Sequence, residues 1–467
     1  MHPRRRLLKR IGAGLGLVGS SVLLSKITPP IYAQSTPVEI EPGSFVSPAD
    51  YIVFEKDGEY YARNGRTGEI DFGPETDASQ VIQPILDKGG SMLLKKGVYE
   101  CYSQINVTKS NIRIIGEGKA TILDFSNITT PFTGIDIEGK DVFEETGSFI
   151  EGVEVGNLTV KGSKTPESAR GILAIYVKGL HLWNIWGQDW KSFAFIIGHI
   201  SHSDMYYAED FYLENLYAEN CDRGALALEH CKNGLITGLY GWNTDYRGVW
   251  LHYGADADAY PVKNVTIVGC EVKRDTRGTS TLGICITVPA ENIVFVNPVI
   301  DTWERGFWLA HENMRNVKVY GGRVRNCCDG VIVSGSLNYP ETIVFDGVWW
   351  DGNDTNVRTD TDAIKCVYRN CDGFVTKNSG VVSLTGDGST TEFVAKVEHG
   401  LVSDKVAVSV SCTKPTTAPP SYIYGYLSDE NSDGFKETIV ITVRFDTAPA
   451  DGEEFDIYWR AEVIQSS

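Results

Sequence analysis

Arg223, Arg247 and Arg305 each stand directly before a glycine, and each has an acid one or two positions upstream: Asp222, Asp245 and Glu304. The same phrase recurs as Asp329-Gly330, with aspartate in the arginine's place. Alternating apolar residues follow each glycine, and two of these runs carry Trp250 and Trp308. Histidines fall at or just beyond the ends of the runs: His230, His252 and His311, with His199 and His202 after an earlier one. A guanidinium binds carboxylate or sulfate through two parallel hydrogen bonds. An indole offers an apolar face to a sugar ring. A histidine or arginine can serve as base, and an aspartate or glutamate as acid. Two chemistries on an acidic polysaccharide fit these residues. In β-elimination, Arg223, Arg247 or Arg305 neutralises the uronate carboxylate and His252 or His230 takes the neighbouring proton. In hydrolysis, a carboxylate pair drawn from Asp222, Asp245, Glu304 and Asp329 does the work, and its separation sets the stereochemical outcome. Trp250, Trp308, His230 and His311 are the substrate-binding candidates.

Such residues cooperate only if the fold stacks them. The phrase recurs along the chain, also at Arg170-Gly171 and Asp372-Gly373, and its glycines lie 24 residues apart from Gly224 to Gly248 and from Gly306 to Gly330. Self-similarity at a fixed period marks a stacked architecture. Each repeat holds an Asn-initiated strand such as Asn264-Val265-Thr266-Ile267 and a corner at Asn215, Gly238, Gly269, Asn297, Gly321 or Gly347. Both corner types tolerate the left-handed conformation that a sharp bend needs. Three short strands in about 24 residues make one coil of a parallel β-helix, because a leucine-rich frame is missing and a propeller blade needs roughly 40 residues. The step from Gly248 to Gly283 reads as an insertion around Arg274–Ser280. Stacking turns repeat positions into columns. Arg170, Arg223, Arg247 and Arg305 form one; Leu226, Trp250, Cys285, Trp308 and Ile332 form another. The corner column of Asn220, Asn243 and Asn326 reads as scaffold that satisfies backbone groups. An Arg–Asp surface ladder, and a loop Gly254–Pro261 folded over Trp250, are the structural alternatives for the rest.

The chain has 467 residues and a formal charge of -18. That balance argues against a nucleic-acid partner, which needs a basic footprint. Residues 1–33 read as a signal peptide: Arg4-Arg5-Arg6 precedes an apolar run from Ile11 to Leu24, too short and Gly-rich for a membrane span. The arginines resemble a twin-arginine signal. The expectation is an extracellular or cell-surface protein without a membrane span after cleavage. Ten cysteines could then form disulfides. Cys221, Cys327 and Cys371 all follow the corner asparagine, however, so buried thiols are the preferred reading.

Residues 34–74 read as a linker and a hairpin turning at Asn64-Gly65, and Val81, Ile82, Ile85 and Leu86 as one face of a helix capped at Thr76-Asp77. The helix, Gly97-Val98-Tyr99, Ile114-Ile115-Gly116-Glu117-Gly118 and the Asn-Cys-Asp-Gly turns together resemble the right-handed parallel β-helix of the pectin lyase-like superfamily over residues 75–377. That superfamily carries lyases, glycosidases, tailspikes and adhesins. In its polygalacturonase members the catalytic carboxylates lie in turns like Asn326-Cys327-Cys328-Asp329-Gly330, but their adjacent Asp-Asp, Gly-His-Gly and Arg-x-Lys are missing here. Residues 380–467 read as a C-terminal antiparallel β-sandwich of accessory type, through which an oligomer would form. Within it, Asp429, Asn431 and Asp433 open a calcium-like loop, but its twelfth position is Val440. No cofactor is required by the chemistry, and calcium is the ion that loop would take. The sequence thus points to an exported all-β protein, a single-stranded β-helix with a sandwich, acting on an acidic polysaccharide as lyase or glycosidase. The alternative class is a non-catalytic adhesion or carbohydrate-binding protein.

Overall fold

The computed structural model describes residues 49–139, 148–198, 208–252, 261–358, 360–372, 374, 377–401, 406–412, 419–430 and 436–463. The signal segment and most of the linker lie outside them. Strands Tyr51–Lys56, Glu59–Asn64 and Ile70–Glu75 form an antiparallel meander. Its tight turn is Asp57-Gly58, both at positive φ. Asn64-Gly65 instead opens the second turn, a correction to the expected hairpin. Helix Ala78–Asp87 follows, its first turn capped by the Asp77 carboxylate, which accepts from Ser79 N at 2.9 Å. Val81, Ile82, Ile85 and Leu86 are its buried face. Gln83 clamps the helix to the first solenoid strand: Nε2 donates to Asn106 O at 3.0 Å and Oε1 accepts from Asn106 N at 2.9 Å. Backbone groups at an open sheet edge are thereby satisfied, which guards against edge-to-edge pairing.

The solenoid is a right-handed parallel β-helix of about 9 turns. One of its faces is a ten-stranded parallel sheet, here called the site sheet. It runs from Ile105–Val107 through Thr133–Glu138, Arg170–Ile175, Phe193–Ile197, Gly224–Glu229, Arg247–His252, Leu282–Ile286, Arg305–Leu309 and Asp329–Val333 to Thr355–Val357. Each strand pairs with the next coil's. The corners are left-handed residues, as expected: Asn215, Asn297, Gly238, Gly269, Gly321 and Gly347 all have positive φ. Asparagine pays little for that conformation and uses its amide between coils. Asn292 Nδ2 donates to Asn264 Oδ1 at 2.8 Å, and Asn264 Nδ2 to Asn233 Oδ1 at 3.0 Å. At the corner before the site sheet, Asn220, Asn243 and Asn326 are also left-handed and bond Asp189, Asp275 and Asp301. That column is scaffold.

The residue after this corner always points into the core. Cys221, Cys327 and Cys371 hold it in some coils, and Trp190 and Trp303 in others, both fully buried. The two indoles donate to Val160 O (3.1 Å) and Val272 O (3.2 Å), so neither leaves a buried donor unmet. No disulfide joins any of the ten cysteines. Burial pushes the Cys221 thiol up to about 12. Only Cys328 and Cys412 are partly exposed. A thiol reagent is therefore expected to label at most these two in the native protein and all ten after denaturation. Fewer than ten in denaturant without reductant would reveal a disulfide.

Beyond the solenoid, six strands form two three-stranded antiparallel sheets. Lys377–Thr385, Glu454–Val463 and Val406–Cys412 make one; Glu392–Glu398, Thr438–Phe445 and Pro420–Ser428 make the other. Ile441, Val443, Phe445, Phe455 and Ile457 pack between them. Lys377, read from sequence as a boundary, already begins the first strand. The Pro420–Ser428 strand escaped the sequence reading because Tyr422, Tyr424 and Tyr426 face outward. Among the described residues no helix is long and apolar enough to cross a membrane.

Candidate functional site

The site sheet sorts its outward side chains into three rows. At the strand starts, Gly224 faces Arg247, Arg247 faces Leu282, Leu282 faces Arg305, and Arg305 faces Asp329. Three positions on, the row runs Ala227, Trp250, Cys285, Trp308, Ile332. At the strand ends Glu229 faces His252. This register corrects two expected columns. Arg223 is not level with Arg247 but lies one residue ahead, exposed in the turn. Leu226 points into the core, and Ala227 is the residue beside Trp250. The corner asparagines set the register: counted from Asn220 and Asn243, Ala225 is level with Gly248, whereas counting from the Arg-Gly phrase slips it by one.

Along the Arg247 strand, four outward side chains form a stack. The Arg247 guanidinium lies 3.7 Å from the Tyr246 ring centre and 3.5 Å from that of Trp250. The His252 ring lies 3.3 Å from Trp250, 22° from parallel. Two groups this near one ring centre cannot share a face, so Arg247 and His252 cover opposite faces of the indole. Trp250 thus has no face free for a sugar, contrary to the simplest expectation; it holds a cation and an imidazole at set positions. Its own placement comes from small neighbours, Ala227 and Cys285, from Phe193 at 5.9 Å, and from Nε1 donating to Thr287 Oγ1 at 2.9 Å. Burial lowers the Arg247 guanidinium below its ordinary value, and nearby Arg223 pushes the same way. An arginine remains charged nonetheless. Arg247 is 5% exposed, and its Nε and Nη1 have no hydrogen-bond partner.

Arg170 and Arg223 complete a cationic cluster. Neither side chain makes an ion pair or hydrogen bond among the described residues. Burial lowers Arg170, Glu229 and Asp136 act against that from a distance, and Arg223 reinforces it. Mutual repulsion between the desolvated Arg170 and Arg247 and the exposed Arg223 is unfavourable, and a bound anion would relieve it. Arg170 was visible in the repeat phrase but not nominated. Lys164 and Lys191, from the turns beside it, carried no sequence signal.

The candidate carboxylates are each engaged. Asp222 lies between Lys164 Nζ (2.8 Å) and Lys191 Nζ (3.3 Å). Asp245 is exposed, 3.6 Å from Arg274. Glu304 accepts from Ser280 N and lies 3.7 Å from Arg305. Asp329 is 7% exposed and pairs with Arg358 at 3.2 Å. They line the strand-start edge over successive coils. Trp308 is half-buried, donates from Nε1 to Ser334 Oγ at 2.5 Å, and has Arg305 at 5.4 Å from its ring centre. His230 is fully buried in the turn after the Gly224 strand, where a ligand in solution does not reach it. His311 is 8% exposed, and its Nδ1 accepts from Asn313 N at 3.1 Å.

The outer face is apolar and covered around the stack: Leu173, Ile175, Phe193, Ile196 and Ala227 are buried although they point outward. His199, His202 and nearly all of the Gly254–Pro261 loop lie outside the described residues. So do Asn431 and Asp433, which leaves Asp429 alone of the calcium-like trio. No group of three or more His, Cys, Asp or Glu is arranged as metal ligands among the described residues.

No protein-family model and no curated protein matches the sequence. Solved structures of similar fold include the tailspike gp61 of Pseudomonas phage phi297, at 12% identity and TM-score 0.31, covering 82% of this chain and 91% of that one. The tailspike of E. coli bacteriophage HK620, solved with a pentasaccharide, aligns at 9% identity and TM-score 0.36 over 85% of this chain and 92% of that one. The mannuronan C-5 epimerase AlgE6 A-module of Azotobacter vinelandii aligns at 14% identity and TM-score 0.34 over 64% and 78%. The chain is, on its own strand register, a parallel β-helix protein.

Proposed function

We propose that this is an exported protein that binds an acidic polysaccharide at the cationic cluster of the site sheet and cleaves it by β-elimination. The observation that carries the reading is the cluster of Arg170, Arg223 and Arg247, three guanidiniums that make no ion pair among the described residues, adjoining a stacked histidine. Arg247, with Arg223 beside it, binds the uronate carboxylate and so stabilises the charge that develops when the adjacent C–H is broken. His252 takes that proton. The C–H electron pair becomes the new C=C bond, the glycosidic C–O bond breaks, and the departing oxygen is protonated by solvent. Hydrolysis is less well supported, because every carboxylate nominated for it already has a cationic or backbone partner.

Full-length mature protein incubated with polygalacturonate, alginate and hyaluronan should release unsaturated products that absorb in the ultraviolet. Loss of that absorbance in His252→Ala, with binding retained, is the expected signature. Reducing ends without absorbance would indicate hydrolysis, and binding without either would indicate the adhesion class. Because guanidiniums supply the neutralising charge, EDTA is expected to leave the rate unchanged; a rate abolished by EDTA and restored by calcium would overturn that assignment.

A further inference from the structure

Tyr246 closes the stack at its strand-start end. The Arg247 Cζ lies 3.7 Å from the Tyr246 ring centre and 3.5 Å from that of Trp250. A guanidinium is planar and has two faces. Two rings this near its carbon cannot share one face, so Tyr246 and Trp250 cover opposite faces of Arg247. The order is then Tyr246, Arg247, Trp250, His252, and the two inner groups are covered on both sides. Tyr246 is 41% exposed, and among the described residues no other ring or cation lies against it.

A single exposed tyrosine is ordinary in itself; its place is what distinguishes this one. Tyr246 O accepts from Leu282 N at 3.0 Å, and Arg247 N donates to Arg223 O at 2.9 Å. Gly224 faces Arg247 and Arg247 faces Leu282, so Arg223 and Thr281 are level with Tyr246 on either side. Arg223 is exposed and makes no ion pair among the described residues. The carboxylates of the neighbouring turns are held elsewhere. Asp245 lies 3.6 Å from Arg274, and Asp275 accepts from Asn243 Nδ2 at 2.8 Å and Trp242 Nε1 at 3.1 Å. Glu304, two coils on, accepts from Ser280 N. An open aromatic face thus stands beside an unpaired guanidinium. A pyranose packs its C–H face on such a ring while a carboxylate of the same polymer meets the cation. His252 lies at the far end of the stack, beyond Arg247 and Trp250. A sugar on Tyr246 is therefore not the unit whose C–H bond His252 breaks.

We propose that the outer face of Tyr246 is a sugar-binding subsite, holding a unit of the polymer that adjoins the uronate bound at Arg223 and Arg247. This deepens the acidic-polysaccharide reading and rests on it: Tyr246 offers the sugar face that Trp250 lacks. Contact with a unit that does not react is made equally before and in the transition state, so its loss raises KM and leaves kcat unchanged.

The test is calorimetric binding of full-length mature protein, over a range of salt, to whichever of polygalacturonate, alginate and hyaluronan binds tightest, with steady-state kinetics where there is turnover. Tyr246→Ala should weaken binding about ten-fold and raise KM alone. Its salt dependence should stay that of the wild-type protein, because the lost contact carries no charge. Tyr246→Phe keeps the ring and should restore affinity to within about two-fold. Arg223→Gln should also weaken binding about ten-fold, but with a flattened salt dependence. Tyr246→Ala that binds like the wild type, lowers kcat, or flattens the salt dependence as Arg223→Gln does overturns the subsite, as does a Phe variant no better than Ala. Each of these leaves the acidic-polysaccharide reading intact; a flattened salt dependence would mean that the ring serves only to hold Arg247. If no polymer binds, both fail.

Discussion

Replacing Trp250 with alanine should lower kcat/KM, or affinity if there is no turnover, by about a hundred-fold, while leaving the protein folded. The indole is half-buried and outside the solenoid core, so its loss removes packing against Phe193 but opens no internal cavity. What it does remove is the support between Arg247 and His252. A desolvated cation–π contact contributes up to about 2 kcal/mol, and the aromatic stack about 1 kcal/mol more. Without them, Arg247 and His252 each regain rotamers, and displacement by about 1 Å of a reacting group costs about two orders of magnitude. Trp250→Phe keeps a face for both neighbours but loses the bond to Thr287, so it should lose only about ten-fold. Kinetics and thermal melts on both variants separate the two effects. An alanine variant with wild-type kinetics would show that the stack has no functional role.

The largest expected loss of stability is at Trp190. Its indole is fully buried, packs against Phe125 and Phe132 at 6.2 and 5.7 Å, and donates to Val160 O. Trp190→Ala should cost about 3–5 kcal/mol by the usual scale for large aromatic truncations, and urea unfolding would measure it. The site is tight enough that its neighbours are glycines. A Cβ at Gly162 would come within 2.3 Å of the Trp190 ring, and one at Gly134 within 2.8 Å. Gly162→Ala should therefore destabilise by about 1–3 kcal/mol through overpacking, the reverse of the usual Gly→Ala gain. Because each coil touches only its neighbours, the damage should spread first to the adjacent coils. Hydrogen exchange should then show lost protection around Val160 and Cys221 before the C-terminal coils, and uniform loss would contradict that picture.

The architecture was legible because its signals are local. A left-handed corner demands Asn or Gly, a core-facing position demands an apolar side chain, and the helix N-cap demands an oxygen acceptor; Asn215, Gly238, Val81 and Asp77 announce these needs residue by residue. The site was legible only in part. Arg223 and Arg247 read as equivalent because both precede a glycine, yet one lies in a turn and the other begins a strand. The information for the correct register was present in Asn220 and Asn243. Those left-handed corners are under conformational constraint and mark the register, whereas the arginine before each glycine is under none.

By itself, then, the sequence determined the β-helix, its capping helix, its corners and the presence of a C-terminal sandwich, since these follow from backbone propensity and apolar periodicity repeated many times over. Only the tertiary structure decided what the polar side chains do. Whether Trp250 offers a face or spends both on Arg247 and His252, whether Asp222 stands alone or between two lysines, and whether His230 reaches solvent all depend on residues dozens of positions away. The repeat that makes coils alike says nothing of which coil's arginine is left without a partner. That difference arises from the few positions where neighbouring coils diverge, and it falls on the Arg-Gly strands of the site sheet.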